Sequence, residues 1–511
     1  MPPLKKIHVE IVMTFVPQSN GQGALFELVA RGQKDTFFLR DGETGVNPFD
    51  NAYAPSVPFL TERKTIVPLN APKFGNSFEI EIDKYGDILT ECAFLIELPT
   101  WLPPLPTSFG GVPTNPALAN GKYQIRTNPG GKAYGYVNYI GYLLFEKIQF
   151  YQDQILLQEW SGESLMATQL TEGSWGSSFM DQVNAGMTQP GDAYLASRAT
   201  PGRLRVRLPI PGLQTPGDGG FPICCVPSQN YRFRIRLRNL EQIVVCSDPT
   251  VLRPAPWTES GFRYTFPTGQ EYPFVPLARE QIGQPTILLE TVMAYVPNEV
   301  MSGLQERTVT IPFRKVFENV FTIGEQDYRP LDTAGIALLT RRLDARHLAE
   351  RILWMFRSGE NIDRGRLDNF FNDYGPSDSP SDSPSDNTDD RAFYNEIKLV
   401  IAGQDREAWR EPFIWQDIEA LVNDERDNGL GLGEMRWNLG DVYERLRPAG
   451  RQPEGGINFT TADRPTLHIN LRNVPPRTQA EGQRQTELRV FVEVWAIYET
   501  QEGRGRLVFG A

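Results

Sequence analysis

A chain of 511 residues is longer than one hydrophobic core usually serves, and it fits two domains of roughly 200 residues or more. The net charge of −12 argues against a protein whose main task is coating nucleic acid, although it is compatible with a local basic patch. With 45 glycines, 41 prolines and 11% aromatic residues the composition suits many strands joined by turns, and 40% hydrophobic residues exclude a disordered chain.

Residues 7–16 read as an isolated first strand, and 1–23 as an N-terminal arm. Their short apolar run is interrupted by Glu10 and alternates like a strand, which predicts no signal peptide, and no stretch of 18 apolar residues exists to predict a membrane span. Phe78, Ile80 and Ile82 alternate with Glu79, Glu81 and Asp83, which is a strand with one wet face. Tyr85-Gly86 turns it, and Asp87–Leu98 returns as a more buried strand. Residues 99–134 are rich in Pro, Gly, Asn and Thr and form a long loop. Val137–Phe150 is the next strand signal. After a turn at Gln152–Gln154 the chain reaches Trp160 and a short helix, with Ser161 available as its N-cap. Residues 172–202 are loop again, and Leu204, Val206 and Leu208 alternate with Arg203, Arg205 and Arg207.

The stretch Tyr231–Arg238 (YRFRIRLR) has a period of two over eight residues, the mark of a half-buried strand. It closes a first unit over 24–248. Residues 249–285, heavy in proline, read as a connector, and a second unit over 286–511 opens at Thr286–Val296. Strands are expected near 307–322, at Ile352–Phe356, Glu396–Ala402 and Thr466–Leu471, and finally at Glu487–Glu499. Residues 334–350 are helical by composition, and Pro412–Asn423 is a better helix candidate. Gly375–Asp390, a tandem Pro-Ser-Asp repeat, reads as an exposed insertion of the disordered type.

The chemistry is sparse. Three histidines, no HExxH, no GxSxG elbow and no Walker A loop leave no catalytic motif. Gly429–Gly433 has the wrong spacing for a phosphate loop. Cys92, Cys224, Cys225 and Cys246 show no zinc spacing and read as reduced and mostly buried, which favours cytosolic synthesis. No cofactor or metal is predicted. Asp83 and Asp87 flank a turn and stand as a weak candidate carboxylate pair of the kind a glycosidase needs. Two stripes of matching pitch remain: Glu79, Glu81 and Asp83, and Arg232, Arg234, Arg236 and Arg238. They face a neighbouring strand, a neighbouring subunit or solvent, and the sequence leaves these readings open.

Several stretches, in order, resemble the double jelly-roll major capsid proteins of nucleocytoplasmic large DNA viruses. LVARGQKDTFF (Leu28–Phe38) resembles the family's opening segment, and FEIEIDKYGDIL (Phe78–Leu89) its strand and turn. VNYIGYLLFEKIQFYQDQILLQEWSGESL (Val137–Leu165) is similar to its hairpin and Trp-bearing helix, with Tyr142 where the family has His. RLPIPG (Arg207–Gly212), FPICCV (Phe221–Val226), RHLAERILWMFR (Arg346–Arg357), IAGQDR (Ile401–Arg406) and GGINFT (Gly455–Thr460) resemble later segments. The third of these turns Ile352–Phe356 from helix to strand.

The resemblance implies an all-β fold of two tandem eight-stranded jelly rolls with short helices and long loops. It also implies no active site and a homotrimeric, pseudo-hexagonal capsomer tiling the icosahedral shell of a virion. Partners would be neighbouring capsomers and minor capsid and penton proteins, without sequence-specific nucleic-acid binding. The alternatives are a carbohydrate-binding or carbohydrate-cleaving β-sandwich and a minor capsid protein.

Overall fold

A computed structural model describes residues 59–104, 108–109, 112–113, 124–126, 132–171, 202–214, 219–248, 250–265, 271–324, 327, 337–370, 392–419, 431–437, 455–460, 465–472 and 485–509. The N-terminal arm, the Leu28–Phe38 segment, nearly all of the 172–202 loop and the Pro-Ser-Asp insertion lie outside these residues, as does much of 99–134.

Eight strands build a first sandwich: β1 (Leu60–Ile66), β2 (Ser77–Glu81), β3 (Ile88–Glu97), β4 (Phe145–Gln152), β5 (Ile155–Trp160), β6 (Leu204–Arg207), β7 (Tyr231–Leu237) and β8 (Thr286–Tyr295). They pair antiparallel in two sheets, β1-β8-β3-β6 and β2-β7-β4-β5. Eight more build a second: β9 (Val309–Ile323), β10 (Ala337–Arg342), β11 (Leu348–Ser358), β12 (Tyr394–Ile401), β13 (Gln404–Arg410), β14 (Gly433–Arg436), β15 (Thr466–Leu471) and β16 (Thr486–Gln501). Their sheets run β9-β16-β11-β14 and β10-β15-β12-β13, and β17 (Arg504–Phe509) adds to β16. Counted from its own start, each set of eight has the order 1-8-3-6 facing 2-7-4-5. That is the double Greek key of a jelly roll, present twice.

The alternation in β7 sets the first core. Tyr231, Phe233, Ile235 and Leu237 are fully buried, and Phe233 stacks on Phe150 of β4 with ring centroids 4.9 Å apart. The second core forms between the two sheets that follow, around Ile352, Trp354, Val490 and Val492.

Two sequence expectations need correction. Thr286–Val296 does not open the second roll: β8 lies between β1 and β3 and closes the first, so Tyr231–Leu237 is a seventh strand and 249–285 an excursion within one roll. The reason is pairing, since Leu289 and Ile287 complete the first core and both edges of β8 are bonded there. The passage to the second roll is helix α2 (Asn298–Glu306), after α1 (Gly162–Thr171) earlier in the chain. Residues 334–350 are not helical where described; Ala337 and Leu339 point inward from β10, which pairs with β15. Pro412–Asn423 is helical where described: Phe413–Ile418 is π-helical, Pro412 and Glu419 flank it in helical conformation, and residues 420–423 lie outside the described residues.

Ser161 does cap α1: its Oγ accepts the Ser164 N–H at 3.0 Å, while the Ser164 Oγ accepts the Ser161 N–H at 2.9 Å. Gly162 lets the helix press close, because a Cβ there would overlap the carbonyl oxygens of Tyr142 and Phe145. All four cysteines are free, and three are buried.

Candidate assembly interface

β7 runs between β2 and β4, and its register sets Arg232 opposite Glu81, Arg234 opposite Glu79 and Arg236 opposite Ser77. Glu79 lies 3.6 Å from Arg232 and 3.9 Å from Arg234, and Arg236 meets Glu146 at 2.9 Å. These arginine side chains are 41–56% exposed, so each pair contributes at most about 1 kcal/mol. Asp83 lies exposed beyond the end of β2. Its intended partner carboxylate, Asp87, accepts the Val296 N–H at 2.9 Å and so fastens the end of β8.

Arg238 does not belong to the stripe. β7 keeps its alternation to its last residue, Leu237, and Arg238 lies just past the strand's end, where period two no longer sets the side on which a side chain emerges. There Arg238 is buried and donates twice to the Glu163 carboxylate, at 2.6 and 2.5 Å.

Glu163 is the centre of the contact between the two rolls. It sits in the first turn of α1, fully buried, where the helix N-terminus favours an anion. Arg357 of β11 reaches it at 3.1 Å and Arg489 of β16 at 3.5 Å. Glu487 binds both of these arginines, at 2.6 and 2.7 Å, and Glu318 of β9 binds Arg489 at 2.8 Å. Burial alone would raise the Glu163 pKa, but the charges of Arg238, Arg489 and Arg357 override it and hold the carboxyl well below the usual range.

A second cluster lies on the same sheet face. Arg351 pairs with Glu493 at 2.5 Å and donates to the Thr171 Oγ1 of α1 at 2.8 Å. Arg314 pairs with Glu350 at 2.9 Å, while its carbonyl accepts Gln158 Nε2 of β5 at 3.0 Å. Nearby, the Tyr231 and Tyr498 hydroxyls meet at 2.9 Å across the two rolls. Apolar residues of both rolls fill the space between, with Leu353, Met355, Phe491 and Tyr498 merging into the core of the first roll. The mating of polar partners fixes how the rolls register; their net contribution to stability is small beside that of the apolar contact.

Sequence reasoning did not find Glu163, Arg351, Arg357 or Arg489. The available signal was charge inside apolar strands, as in AERILWMFR and ELRVFVEVW, where a surface strand would alternate and a core strand would carry none.

Acid should loosen this seam. Glu163 and Glu487 have folded pKa values below the ordinary 4.5, so the stability they lend is complete above about pH 4.5 and is lost as pH falls through the folded values. Glu318 acts the other way, since burial, only partly offset by Arg489, raises its pKa. Glu163, faced by three arginines, sets the net direction. The expected result is an unfolding temperature that holds steady between about pH 5 and 7 and drops below about pH 4.5. A profile that is flat through that range, read by calorimetry, would contradict the assignment.

Among the described residues no group of three or more His, Cys, Asp or Glu is placed to hold a metal ion, and no helix is long and apolar enough to cross a membrane.

No protein-family model and no curated protein matches the sequence. Solved structures do. PBCV-1 VP54, fitted into a reconstruction of the virophage Sputnik, superposes with a TM-score of 0.62 at 14% identity, covering 91% of this chain and 100% of that one. A quasi-atomic PBCV-1 capsid gives 0.61 at 14% identity with the same coverage. The Faustovirus major capsid protein gives 0.55 at 12% identity, covering 93% and 96%. These likenesses agree with a strand order that the chain displays twice, and the fold is therefore the double jelly roll of these viral capsid proteins.

Proposed function

We propose that this chain is a major capsid protein, a structural unit that assembles into homotrimeric capsomers and tiles the shell of a large DNA virus or a virophage. The observation that carries this is the duplication: two jelly rolls of one strand order, side by side, locked by a buried seam rather than joined by a linker. A lattice tile has to hold its shape, and the Glu163, Arg351 and Arg314 clusters make one rigid block of two sandwiches. Its work is burial of side faces against neighbours, and it requires no catalytic step. The acidic net charge suits a protein held at high local concentration without nonspecific association. Location in the virion shell, with other capsomers and minor capsid proteins as partners, belongs to the same reading.

Light scattering on the purified chain tests it. Three copies of 57.7 kDa give about 173 kDa, the mass expected of a closed cyclic trimer. A strict monomer at high concentration would overturn the capsomer.

A further inference from the structure

The two rolls repeat one local device. In the first, the Tyr142 hydroxyl donates to Gln169 Oε1 of α1 at 2.7 Å, and Gln169 Nε2 donates to the Arg207 carbonyl of β6 at 3.1 Å. In the second, Gln416 of the Phe413–Ile418 turn donates through Nε2 to the Tyr394 hydroxyl and to the Gly431 carbonyl, both at 3.3 Å. Each helical segment follows the fifth strand of its roll. Each is tied by a glutamine to a tyrosine, Tyr394 at the start of the fourth strand and Tyr142 in the short helix Ile140–Leu143 just before it, and to the backbone around the sixth. The difference lies in what covers them. α1 is buried against β9-β16-β11-β14, whereas Phe413 is 43% exposed and Glu411 is exposed.

The receiving surface is repeated as well. On the second roll the third and eighth strands set Leu353 opposite Phe491 on the outer face, with Arg351 and Glu493 beside them, all buried by the first roll. On the first roll the same pair of strands sets Leu95 opposite Leu288 on the outer face. Arg205 lies beside them, held by Glu91 and, at 2.9 Å, by Glu290. Here the two leucines are only half-buried, and Arg203 at the edge is 86% exposed.

We infer that the outer face of β1-β8-β3-β6 in one copy receives the Phe413–Ile418 segment of a second copy, repeating between chains the seam that joins the rolls within one. The inference rests on the capsomer reading and names its interface. The stretch Glu411–Glu419 (EPFIWQDIE) carries three acids and no base. The edge strand it meets presents Arg203, Arg205 and Arg207; Arg205 is already held by Glu91 and Glu290, and Arg203, paired with Glu97 but 86% exposed, is the base open to the segment's acids. The contact is head-to-tail, so each copy offers one knob and one socket, and the chain of contacts closes into a ring.

The test is a mixing experiment read by light scattering. Phe413→Glu spoils the knob, and Leu95→Glu spoils the socket. Each variant alone should fall from the trimer mass to 57.7 kDa. Mixed in equal amounts, the intact knob of one meets the intact socket of the other, and a species of twice the chain mass should appear. Near-ultraviolet circular dichroism checks folding. If Leu95→Glu loses that signal, Arg203→Glu at an exposed side chain serves as the socket variant. A wild-type trimer whose variants stay trimeric, or a mixture that stays monomeric, overturns this interface alone. A wild-type monomer overturns the capsomer and the interface together.

Discussion

Replacing Glu163 with glutamine is expected to destabilise the chain by about 3–5 kcal/mol, the cost of leaving a buried charge without its counter-ion. The substitution keeps the shape of the side chain and removes only the charge. Arg357 and Arg489 retain Glu487, so most of the loss falls on Arg238, whose described ion pair is with Glu163 alone. The effect should therefore be largely relieved when Arg238 is also made neutral. In a double-mutant cycle, Glu163→Gln with Arg238→Gln should cost less than the sum of the two single changes by 1 kcal/mol or more, on the order of couplings seen within buried networks. The midpoint of urea unfolding, followed separately by probes in the two rolls, reads this out. A shift below about 1 kcal/mol for the single substitution would mean that water reaches the cluster and screens it.

The second large effect is expected at Trp354. It is wholly buried on β11, with Trp415 edge-on at 6.0 Å and Tyr394 at 6.5 Å, and it forms the middle of the second core. Truncation to alanine should cost about 3–5 kcal/mol through lost contact and the cavity left behind. Gly433, the first residue of β14, pairs opposite Trp354, and a Cβ there would overlap the indole ring. Gly433→Ala alone should thus be strongly destabilising. In the Trp354→Ala background, where the ring is gone, the added methyl should be neutral or slightly favourable. Thermal unfolding of the three variants checks the sign; a Gly433→Ala penalty that persists without the ring would locate its cause in the backbone. The glycine run that resembled a phosphate loop thus ends in a packing requirement.

Strand existence was legible because alternation is a local property. Thr466–Leu471 and the long final strand can be located from their own residues. Strand membership was not legible, because it depends on pairing. The proline-rich stretch before Thr286 looked like a boundary, yet it is an excursion inside one roll, and nothing in TILLETVMAYV says that its partners are β1 and β3. The Arg238 error is of the same kind. A period-two pattern continues on paper past Leu237, where the strand ends and alternation no longer decides the side on which the arginine emerges. The buried cluster was hidden for a further reason: Glu163 lies in the first turn of a helix, where an acid is unremarkable.

The place of β8 has a consequence for how the chain is made. On the ribosome, seven strands of the first roll emerge before the strand that binds β1 to β3. Until Tyr295 is synthesised, Leu60 has no partner in its sheet, and the edge of β3 that β8 will occupy stays open. Pairings this distant in sequence form slowly, and open apolar edges invite association with other chains in the meantime. The first roll is encoded first but completes its sheet late, well after the start of the 249–285 excursion has left the exit tunnel. A chain truncated before Thr286 is thus a sandwich with an unfilled slot, and a nascent one passes through that same state each time it is translated.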